Sequence, residues 1–342
     1  MTQNIVLIGF GTVGQGLAEI LIDKKADLER FHGYEAKVVA VSDTLKGSVC
    51  DPAGLDLAKL LELVREGKSL EEYPTGEKGW DSLTTIKNVD ADVMVELAFT
   101  DLETGQPAID HVTAALKSGK NVSTTNKGPV ALACGRLSAL AEEKGLSFRF
   151  EGTVMSGTPV LNTALYGLAG SRIDKIQGIL NGTTNYILTQ MEEGESYEDA
   201  LLKAQELGYA EAVPDADVLG WDARGKVAIL ANVVMHAPLA VSDVECEGIT
   251  KITLDNIRTA AEAGERYKLI GSIERTADGV KAKVCPRRVP LSHPLSSVMG
   301  ATNAVTYTTD LLGEVTVVGA GAGRIETGYS VLNDLLDIHR CS

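Results

Sequence analysis

Residues 209–226, YAEAVPDADVLGWDARGK, gather side chains that could do acid–base chemistry beside an apolar stretch. The chemistry would rest on four carboxylates and one lysine: Glu211, Asp215, Asp217, Asp222 and Lys226. The nine residues after Lys226, VAILANVVM, contain one polar side chain, which predicts a buried helix that Lys226 opens. Asp222 and Lys226 also have the spacing of an ordinary surface ion pair, and the acids before them could form a solvated loop. The apolar run favours an active-site lysine over both alternatives.

Reduction of a carbonyl group would use such a lysine, because negative charge develops on the oxygen as hydride arrives. Lys226 could supply either a proton or a positive charge to that oxygen. Burial and the helix dipole would favour its neutral amine form, whereas Asp222 would favour the ammonium. The sequence leaves that balance open.

The first residues, NIVLIGFGTVGQGLAEILI, predict a buried strand, a glycine turn and a helix. In such a GxGxxG turn the first glycine permits the bend, the second admits a pyrophosphate and the third lets helix and strand pack closely. The alternative is a glycine turn without a ligand, but its place between a strand and a helix favours dinucleotide binding. The candidate cofactor contacts of this turn are Gly9, Phe10, Gly11, Thr12, Val13 and Gly14.

Three further candidates lie at the carboxyl ends of predicted strands, where open α/β sheets bind ligands. Asp43 ends AKVVAVSD and could accept hydrogen bonds from an adenosine ribose, or could simply be a turn residue. Its charge would favour NAD over NADP, and Lys46 is the one nearby cation, so cofactor choice leans to NAD but stays open. Thr100 lies at the C-terminal end of DVMVELAFTD. Lys127 ends NVSTTNK, where it is either a cofactor contact or an exposed turn lysine.

Length and composition narrow the class of protein. The chain has 342 residues, which predicts about two domains. Its formal net charge of −15 argues against nucleic acid or an anionic membrane as a partner. No apolar run reaches the ~18 residues of a spanning helix, and the N-terminus reads as a strand rather than a signal peptide. Five scattered cysteines argue against a disulfide framework and a zinc site, which fits the cytoplasm.

The alternation of elements predicts an α/β fold, a Rossmann-type nucleotide-binding domain followed by an α+β substrate domain, to which the family resemblance described below adds a role in dimerisation. The first would span residues 1–140 with 315–342, because EVTVVGAGAGRIETGYSVLNDLLDI repeats the order strand, glycine turn and helix. The second would span 141–314. It contains LSFRFEGTVMSGTPV, which begins as an alternating strand and ends in a glycine-rich turn, and KLIGSIERTADGVKAKVCPRRV, a hairpin turning at ADG.

Six segments together carry a family resemblance across nearly the whole chain: GFGTVG, TTNKGPVA, EGTVMSGTPV, GILNGTTNYIL, LGYAEAVPDADVLGWDARGK and GAGAGRIETGY. The chain resembles the homoserine dehydrogenases. The resemblance implies interconversion of L-aspartate 4-semialdehyde and L-homoserine with NADPH or NADH. That step lies on the route to threonine, isoleucine and methionine. It also implies a homodimer or homotetramer, because the family's substrate domains pair through their sheets.

The resemblance assigns roles residue by residue. Lys226 matches the catalytic lysine, Asp222 its acidic partner, and Lys127 the lysine near the nicotinamide. Glu211 matches the residue that holds the substrate amino group, Asp217 and Thr183 line the substrate site, and Gly323 lies near the cofactor. A monovalent cation, sodium or potassium, would be held by backbone carbonyls of Glu151, Val154, Ser156 and Thr158. That segment could instead be only a turn before the helix near Pro159.

Two departures from the family pattern stand out. Val213 occupies a position where relatives often carry an acid, so the transfer is weakest there. The chain also stops just after its GAGAG helix, so feedback inhibition through an appended regulatory domain is not expected.

Two other functions compete with this interpretation. One is an amino-acid dehydrogenase that oxidises an amine-bearing carbon, such as one acting on aspartate or diaminopimelate. The other is a cofactor-sensing protein without turnover, which would have no need of a proton-donating lysine.

Overall fold

A computed structural model describes residues 2–341 and divides the chain into two compact units. Unit 1 contains the chain up to Gly157 and again from Gly323 onward, and unit 2 is Thr158–Ala322. The α/β fold class, with a Rossmann-like parallel sheet and a second sheet, is confirmed. Within the described residues no helix is long and apolar enough to cross a membrane.

Unit 1 is built on a seven-stranded sheet in the order β4-β3-β2-β1-β5-β6-β7. Five neighbouring strands, in the order β2, β1, β5, β6 and β7, are parallel to one another. Strands β3 and β4 extend the sheet beside β2 with antiparallel pairing. Its strands are β1 Thr2–Ile8, β2 Glu35–Asp43, β3 Gly47–Cys50, β4 Glu77–Lys78, β5 Val93–Glu96, β6 Asn121–Thr124 and β7 Phe148–Arg149. Its helices are α1 Thr12–Asp23, α2 Lys25–His32, α3 Leu57–Arg65, α4 Ser82–Asn88, α5 Ala108–Lys117, α6 Lys127–Glu143 and, at the end of the chain, α13 Arg324–Cys341.

Strand β1 lies between β2 and β5, which is where the order of parallel strands reverses. Ile5 and Leu7 of β1 are fully buried in the main core of the unit. The connections from β1 and β5 leave in opposite directions along the sheet, so their carboxyl ends border a crevice. The predicted glycine turn follows β1 and therefore lies at this crevice.

Helix α13 packs on α1 through glycine. A Cβ built on Gly16 would lie 2.2 Å from the carbonyl oxygen of Arg324, and one built on Gly328 would lie 2.7 Å from the amide nitrogen of Leu17. Both obstacles are backbone atoms, which cannot rotate away. Ser123 of β6 also donates a 2.8 Å hydrogen bond to the buried carboxylate of Asp334 in α13. The late helix is thus part of the core of unit 1.

Unit 2 is a six-stranded sheet in the order β13-β12-β8-β10-β11-β9. Its strands are β8 Ile173–Ile179, β9 Glu245–Cys246, β10 Glu265–Thr276, β11 Gly279–Pro290, β12 Thr302–Thr309 and β13 Gly313–Ala320. Its helices are α7 Val160–Asn162, α8 Gly182–Glu192, α9 Tyr197–Glu206, α10 Asp215–Val218, α11 Trp221–Val234 and α12 Leu254–Glu262. The predicted hairpin is confirmed: β10 and β11 pair from Glu265↔Pro290 to Thr276↔Gly279, around Ala277 and Asp278.

Helix α11 covers one face of this sheet. A Cβ on Gly271 of β10 would lie 2.7 Å from Val227 of α11 and 2.8 Å from Leu180, so the missing side chain admits both. Residues Val227–Leu230 of α11 are at most 1% exposed. The prediction of a buried apolar helix is confirmed.

Two sequence predictions about element bounds are wrong. LSFRFEGTVMSGTPV begins as a strand and continues into turns, as expected, but the strand is only the two residues of β7, because Phe150 has ψ 31°, outside the β region, and Glu151–Thr153 forms a 3₁₀ turn. Lys226 does not open α11. Gly220, with φ 84°, ends the preceding turn, and the helix begins at Trp221. Lys226 therefore lies in the second turn, away from the positive end of the dipole, whereas Asp222 lies in the first turn.

We predict that Gly328→Ala lowers the free energy of unfolding by about 1–3 kcal/mol, because the new methyl group meets the α1 backbone. Gly135→Ala is the matched control: Gly135 also lies inside a helix, α6, and a Cβ there meets nothing within 4 Å. The control should stabilise by roughly 0.5–1 kcal/mol. Denaturant unfolding of both variants measures the difference, and equal effects would contradict the packing of α1 on α13.

Candidate functional site

The three motif glycines differ in the space around them, and each difference fits one role. A Cβ on Gly9, whose φ is 100°, would lie 2.5 Å from the carbonyl oxygen of Leu97. A Cβ on Gly14 would lie 2.8 Å from the carbonyl oxygen of Gly9, so this glycine lets α1 approach the strand. A Cβ on Gly11 would meet nothing within 4 Å. The space beside Gly11 is therefore open to a ligand.

Helix α1 begins at this turn without a side-chain cap. Gly11 is its N-cap residue and Thr12 and Val13 are its first helical residues. Among the described residues no side chain hydrogen-bonds to the start of α1, so its first amide groups point at the open space beside Gly11. Such a helix start suits a phosphate group.

Asp43, at the end of β2, is tied to the same turn. One carboxylate oxygen accepts a 2.7 Å hydrogen bond from the amide of Phe10, and the other accepts from the amides of Leu45 and Lys46 at 2.9 and 3.0 Å. Burial alone would raise the pKa of Asp43, but these backbone hydrogen bonds and the charge of Lys46 outweigh it and lower the pKa. Asp43 is therefore ionised near neutral pH, with its oxygens already engaged.

Thr100 and Lys127 follow β5 and β6, as predicted, but neither lies in the strand itself. Thr100 is exposed in the loop after Glu96, and Lys127 is the half-buried first residue of α6. Asn126 caps α6 through the amide of Gly128 and donates to the carbonyls of Ala98 and Phe99 at 3.2 and 2.8 Å. The residue before Lys127 thus fixes the loop that carries Thr100.

Beneath this loop lies a buried carboxylate, Glu96, that was not predicted from the sequence. Glu96 is fully buried; it accepts from the amide of Ala98 and from Thr124 Oγ1, and lies 3.3 Å from His111 Nδ1. Thr124 in turn accepts from the amide of Asn126 at 3.0 Å. One chain of hydrogen bonds therefore positions both strand ends.

In unit 2 the structure brings Lys226, Asp222 and Asp217 together, joined by Asn181. Lys226 Nζ, in a side chain only 8% exposed, donates to Asp222 Oδ2 and to the carbonyl of Leu180, both at 2.7 Å. Asn181 Nδ2 donates to Asp217 Oδ1 at 2.6 Å and to Asp222 Oδ2 at 3.1 Å. This group of four is called the acid–lysine cluster below.

The charge state of Asp217 is set by the cluster. Burial raises its pKa, and the charge of Asp222 raises it further; the hydrogen bond from Asn181, the charge of Lys226 and Thr183 act in the opposite direction, and the net shift is upward. Asp217 is therefore harder to ionise than an aspartate in water.

The other residues of the predicted substrate site differ in their exposure and in their hydrogen bonds. Thr183, 6% exposed in α8, donates to the carbonyl of Tyr209 at 2.5 Å. Glu211 is exposed in the segment between α9 and α10, which Gln205 anchors by a hydrogen bond to the carbonyl of Glu211. Val213 is 73% exposed, and Asp215 is the exposed first residue of α10.

Helix α8, which carries Thr183, is anchored further along by a buried lysine. Lys268 of β10 is fully buried and donates to Asn185 Oδ1 at 3.0 Å and to the carbonyl of Val298 at 2.7 Å. Burial lowers the pKa of Lys268 to about 8. This lysine was not singled out from the sequence. The one signal of its burial was its position in the first strand of the predicted hairpin.

The predicted cation residues lie in an unusual backbone segment. Glu151, Val154 and Ser156 are buried in unit 1, and Met155 and Ser156 both have left-handed φ angles, 59° and 55°. Thr158 begins unit 2 and donates to the carbonyl of Ala320 at 2.8 Å. Gly323, with φ 138°, precedes α13 and accepts from Thr327 Oγ1 at 2.6 Å. Among residues 2–341 no three His, Cys, Asp or Glu side chains are grouped to hold a metal ion.

A Rossmann-like unit with an open glycine turn, followed by a unit with a buried lysine among carboxylates, defines a nicotinamide-dependent oxidoreductase. Comparison with known proteins narrows that class. The family model described as homoserine dehydrogenase matches residues 159–336, and one described as glutamate/leucine/phenylalanine/valine dehydrogenase matches residues 1–127.

Relatives that match the chain over nearly its full length support the homoserine dehydrogenase family. The chain is 45% identical to an NAD(+)-dependent homoserine dehydrogenase of Pseudomonas canavaninivorans, over 99% of this chain and 97% of that protein. A crystal structure of a putative homoserine dehydrogenase from Archaeoglobus fulgidus superposes with a TM-score of 0.88 at 39% identity, covering 98% of this chain and 99% of that one. A hyperthermophilic archaeal homoserine dehydrogenase in complex with NADPH superposes with a TM-score of 0.85 at 30% identity, covering 99% and 98%. The chain belongs to the homoserine dehydrogenase family.

We predict that Gly11→Ala weakens binding of NAD(H) and NADP(H) at least tenfold without lowering the thermal midpoint, because its methyl group enters only the open space. Gly14→Ala is the matched control, and it should lower the midpoint because its methyl group meets the carbonyl of Gly9. Cofactor fluorescence titration and thermal unfolding measure the two effects. Unchanged cofactor affinity in Gly11→Ala would place the pyrophosphate elsewhere.

Proposed function

We propose that the chain interconverts L-homoserine and L-aspartate 4-semialdehyde, with unit 1 holding the nicotinamide cofactor and unit 2 holding the substrate. The observation that carries the proposal is the buried ammonium of Lys226, fixed at 2.7 Å from both Asp222 and the Leu180 carbonyl. A reduced nicotinamide, when bound, supplies the hydride. The residues of the chain have to bind, orient and protonate the substrate.

Lys226 is proposed as the proton donor. An ammonium has three N–H groups, and two of those of Lys226 are directed at Asp222 and Leu180. The third would donate to the aldehyde oxygen, and its proton would pass to that oxygen as negative charge develops there. In the reverse direction the neutral amine would accept the hydroxyl proton of homoserine.

The acids would then hold the other end of the substrate. Homoserine carries an α-ammonium group, which an ionised Asp217 and the exposed carboxylate of Glu211 could bind by charge-assisted hydrogen bonds. Thr183 would line the same pocket. On the cofactor side, Lys127, Thr100 and Gly323 remain proposed contacts, supported by their places at the ends of β6 and β5 and before α13.

The test is turnover of L-homoserine with NAD or NADP, followed by absorbance of the reduced cofactor in buffers containing sodium or potassium. We expect Lys226→Ala to lower kcat about 10²–10⁴-fold while cofactor affinity stays unchanged. Lys251→Ala, at an exposed surface lysine, is the control and should leave kcat unaltered.

Two results would overturn this assignment. Absence of turnover in the unaltered chain would sink the proposed reaction, and reduction of cofactor with L-aspartate or diaminopimelate instead would support oxidation at an amine-bearing carbon. A near-normal kcat in Lys226→Ala would remove the lysine from its role.

We also propose a preference for NAD over NADP. Its support is the ionised carboxylate of Asp43 at the end of β2, which would repel a 2′-phosphate, although Lys46 lies 3.7 Å away. The name of the Pseudomonas relative agrees with this preference, whereas the archaeal structure was solved with NADPH.

The expected result is a higher kcat/KM with NAD than with NADP, and a ratio that falls about tenfold in Asp43→Asn, which removes the charge and keeps the shape. Because both cofactors are measured on the same variant, any loss of stability cancels from the ratio. A ratio that does not change on substitution would show that Asp43 does not select the cofactor.

We propose three further assignments. The carbonyls of Glu151, Val154 and Ser156, with Thr158, would hold a sodium or potassium ion. The support is the left-handed φ of Met155 and Ser156, because such sparsely populated backbone conformations cluster at ligand sites. The chain would form a homodimer or homotetramer, by resemblance to its family. It would act in the cytoplasm, where its five free cysteines would stay reduced.

A further inference from the structure

Asn181 precedes α8, and both ends of its amide are engaged. Its Oδ1 accepts from the amide of Thr184 at 2.9 Å and from Thr184 Oγ1 at 3.0 Å, so it caps the helix. Its Nδ2 points the opposite way, to Asp217 and Asp222, 36 and 41 residues along the chain. The side chain is 5% exposed.

These contacts allow only one orientation of the amide. A flipped amide would set its oxygen against two carboxylates and its NH₂ group against the N–H of Thr184, losing the bonds to both carboxylates and to the Thr184 amide and adding repulsion. The capping bond to α8 therefore fixes the direction in which the two N–H groups point. Each N–H then serves one carboxylate.

Resting on the function proposed above, we propose that Asn181 is a positioning residue: its two N–H groups hold Asp217 and Asp222 side by side and keep Asp217 ionised to receive the substrate ammonium. Without it, two partly buried carboxylates would repel each other, and Asp222 alone would keep its partner in Lys226. Asp222 would thus pair with Lys226, and Asp217 would bind the ammonium group of the substrate.

The groups that act on Asp217 come from the two helices packed against α10. Helix α11 presents Asp222 and Lys226, of opposite charge, and α8 presents the uncharged side chains of Asn181 and Thr183. Because the net effect of burial and Asp222 already raises the pKa of Asp217, loss of the Asn181 bond would raise it further. Substrate binding, which needs the carboxylate, would then be lost at a higher pH as the solution is acidified.

Two substitutions separate this role from helix capping. Serine and aspartate are both good N-cap residues, so Asn181→Ser and Asn181→Asp keep the bond to Thr184 and lose the N–H groups. Asn181→Asp also adds a third acid beside Asp217 and Asp222. A purely structural cap would tolerate both changes.

The acid limb of the pH profile of kcat/KM for L-homoserine is expected to move to higher pH by about one unit in Asn181→Ser. Loss of one hydrogen bond to a charged group changes the ionisation constant of Asp217 about tenfold, which is one pKa unit. A larger shift is expected in Asn181→Asp, because of the added charge. KM for the cofactor should not change in either variant. Ser196→Ala, which removes the cap of α9, should lower the thermal midpoint and leave the acid limb in place.

A second readout does not depend on turnover. Carboxyl ¹³C NMR of aspartate-labelled protein, with Asp217→Asn for assignment, should show Asp217 titrating at higher pH in Asn181→Ser than in the unaltered chain. An unchanged acid limb together with an unchanged Asp217 titration would overturn the proposal. If the unaltered chain does not turn over L-homoserine, the proposed function fails, and the NMR titration alone decides the role of Asn181.

Discussion

A lysine ammonium that is taken out of water costs several kcal/mol unless charge and hydrogen bonds replace its hydration. Lys226 meets that requirement through Asp222 and the carbonyl of Leu180. Each partner imposes a further condition. Leu180, the residue after β8, must lie beside α11, and Asp222 must have its own hydrogen-bond donors, one of which is Asn181. The end of β8, the start of α8 and α11 therefore meet at Lys226.

In unit 1 the close packing of the glycine turn, α1 and α13 depends on positions that have no side chain. Gly9, Gly14, Gly16 and Gly328 each stand where a Cβ would meet backbone atoms, and Gly11 stands where it would meet none. The first four glycines let the turn, α1 and α13 pack closely, which leaves Gly11 as the position where a ligand can approach the backbone. Below the neighbouring strand ends, the buried Glu96 holds the loops that carry Thr100 and Lys127.

The sequence predicted features with a local cause. The β10–β11 hairpin, for example, followed from its tight turn at ADG. The start of α11 was misplaced because the charged residues Asp222 and Arg224 in its first turn do not continue the apolar run, whereas the left-handed Gly220 sets the boundary. Asn181 was missed because an asparagine before a glycine is typical of a turn, and its partners lie 36 and 41 residues away. Pairings of that kind depend on tertiary contacts, which no local pattern contains.

A crystal structure of the chain with cofactor and L-homoserine tests the central claim most directly, because it locates both ends of the substrate relative to the acid–lysine cluster. We expect the substrate hydroxyl within hydrogen-bonding distance, about 2.7–3.2 Å, of Lys226 Nζ, and the α-ammonium at a similar distance from Asp217. Lys226 should keep its bonds to Asp222 and Leu180. A homoserine molecule whose hydroxyl lies away from Lys226, or whose ammonium is bound by neither Asp217 nor Glu211, would contradict the account.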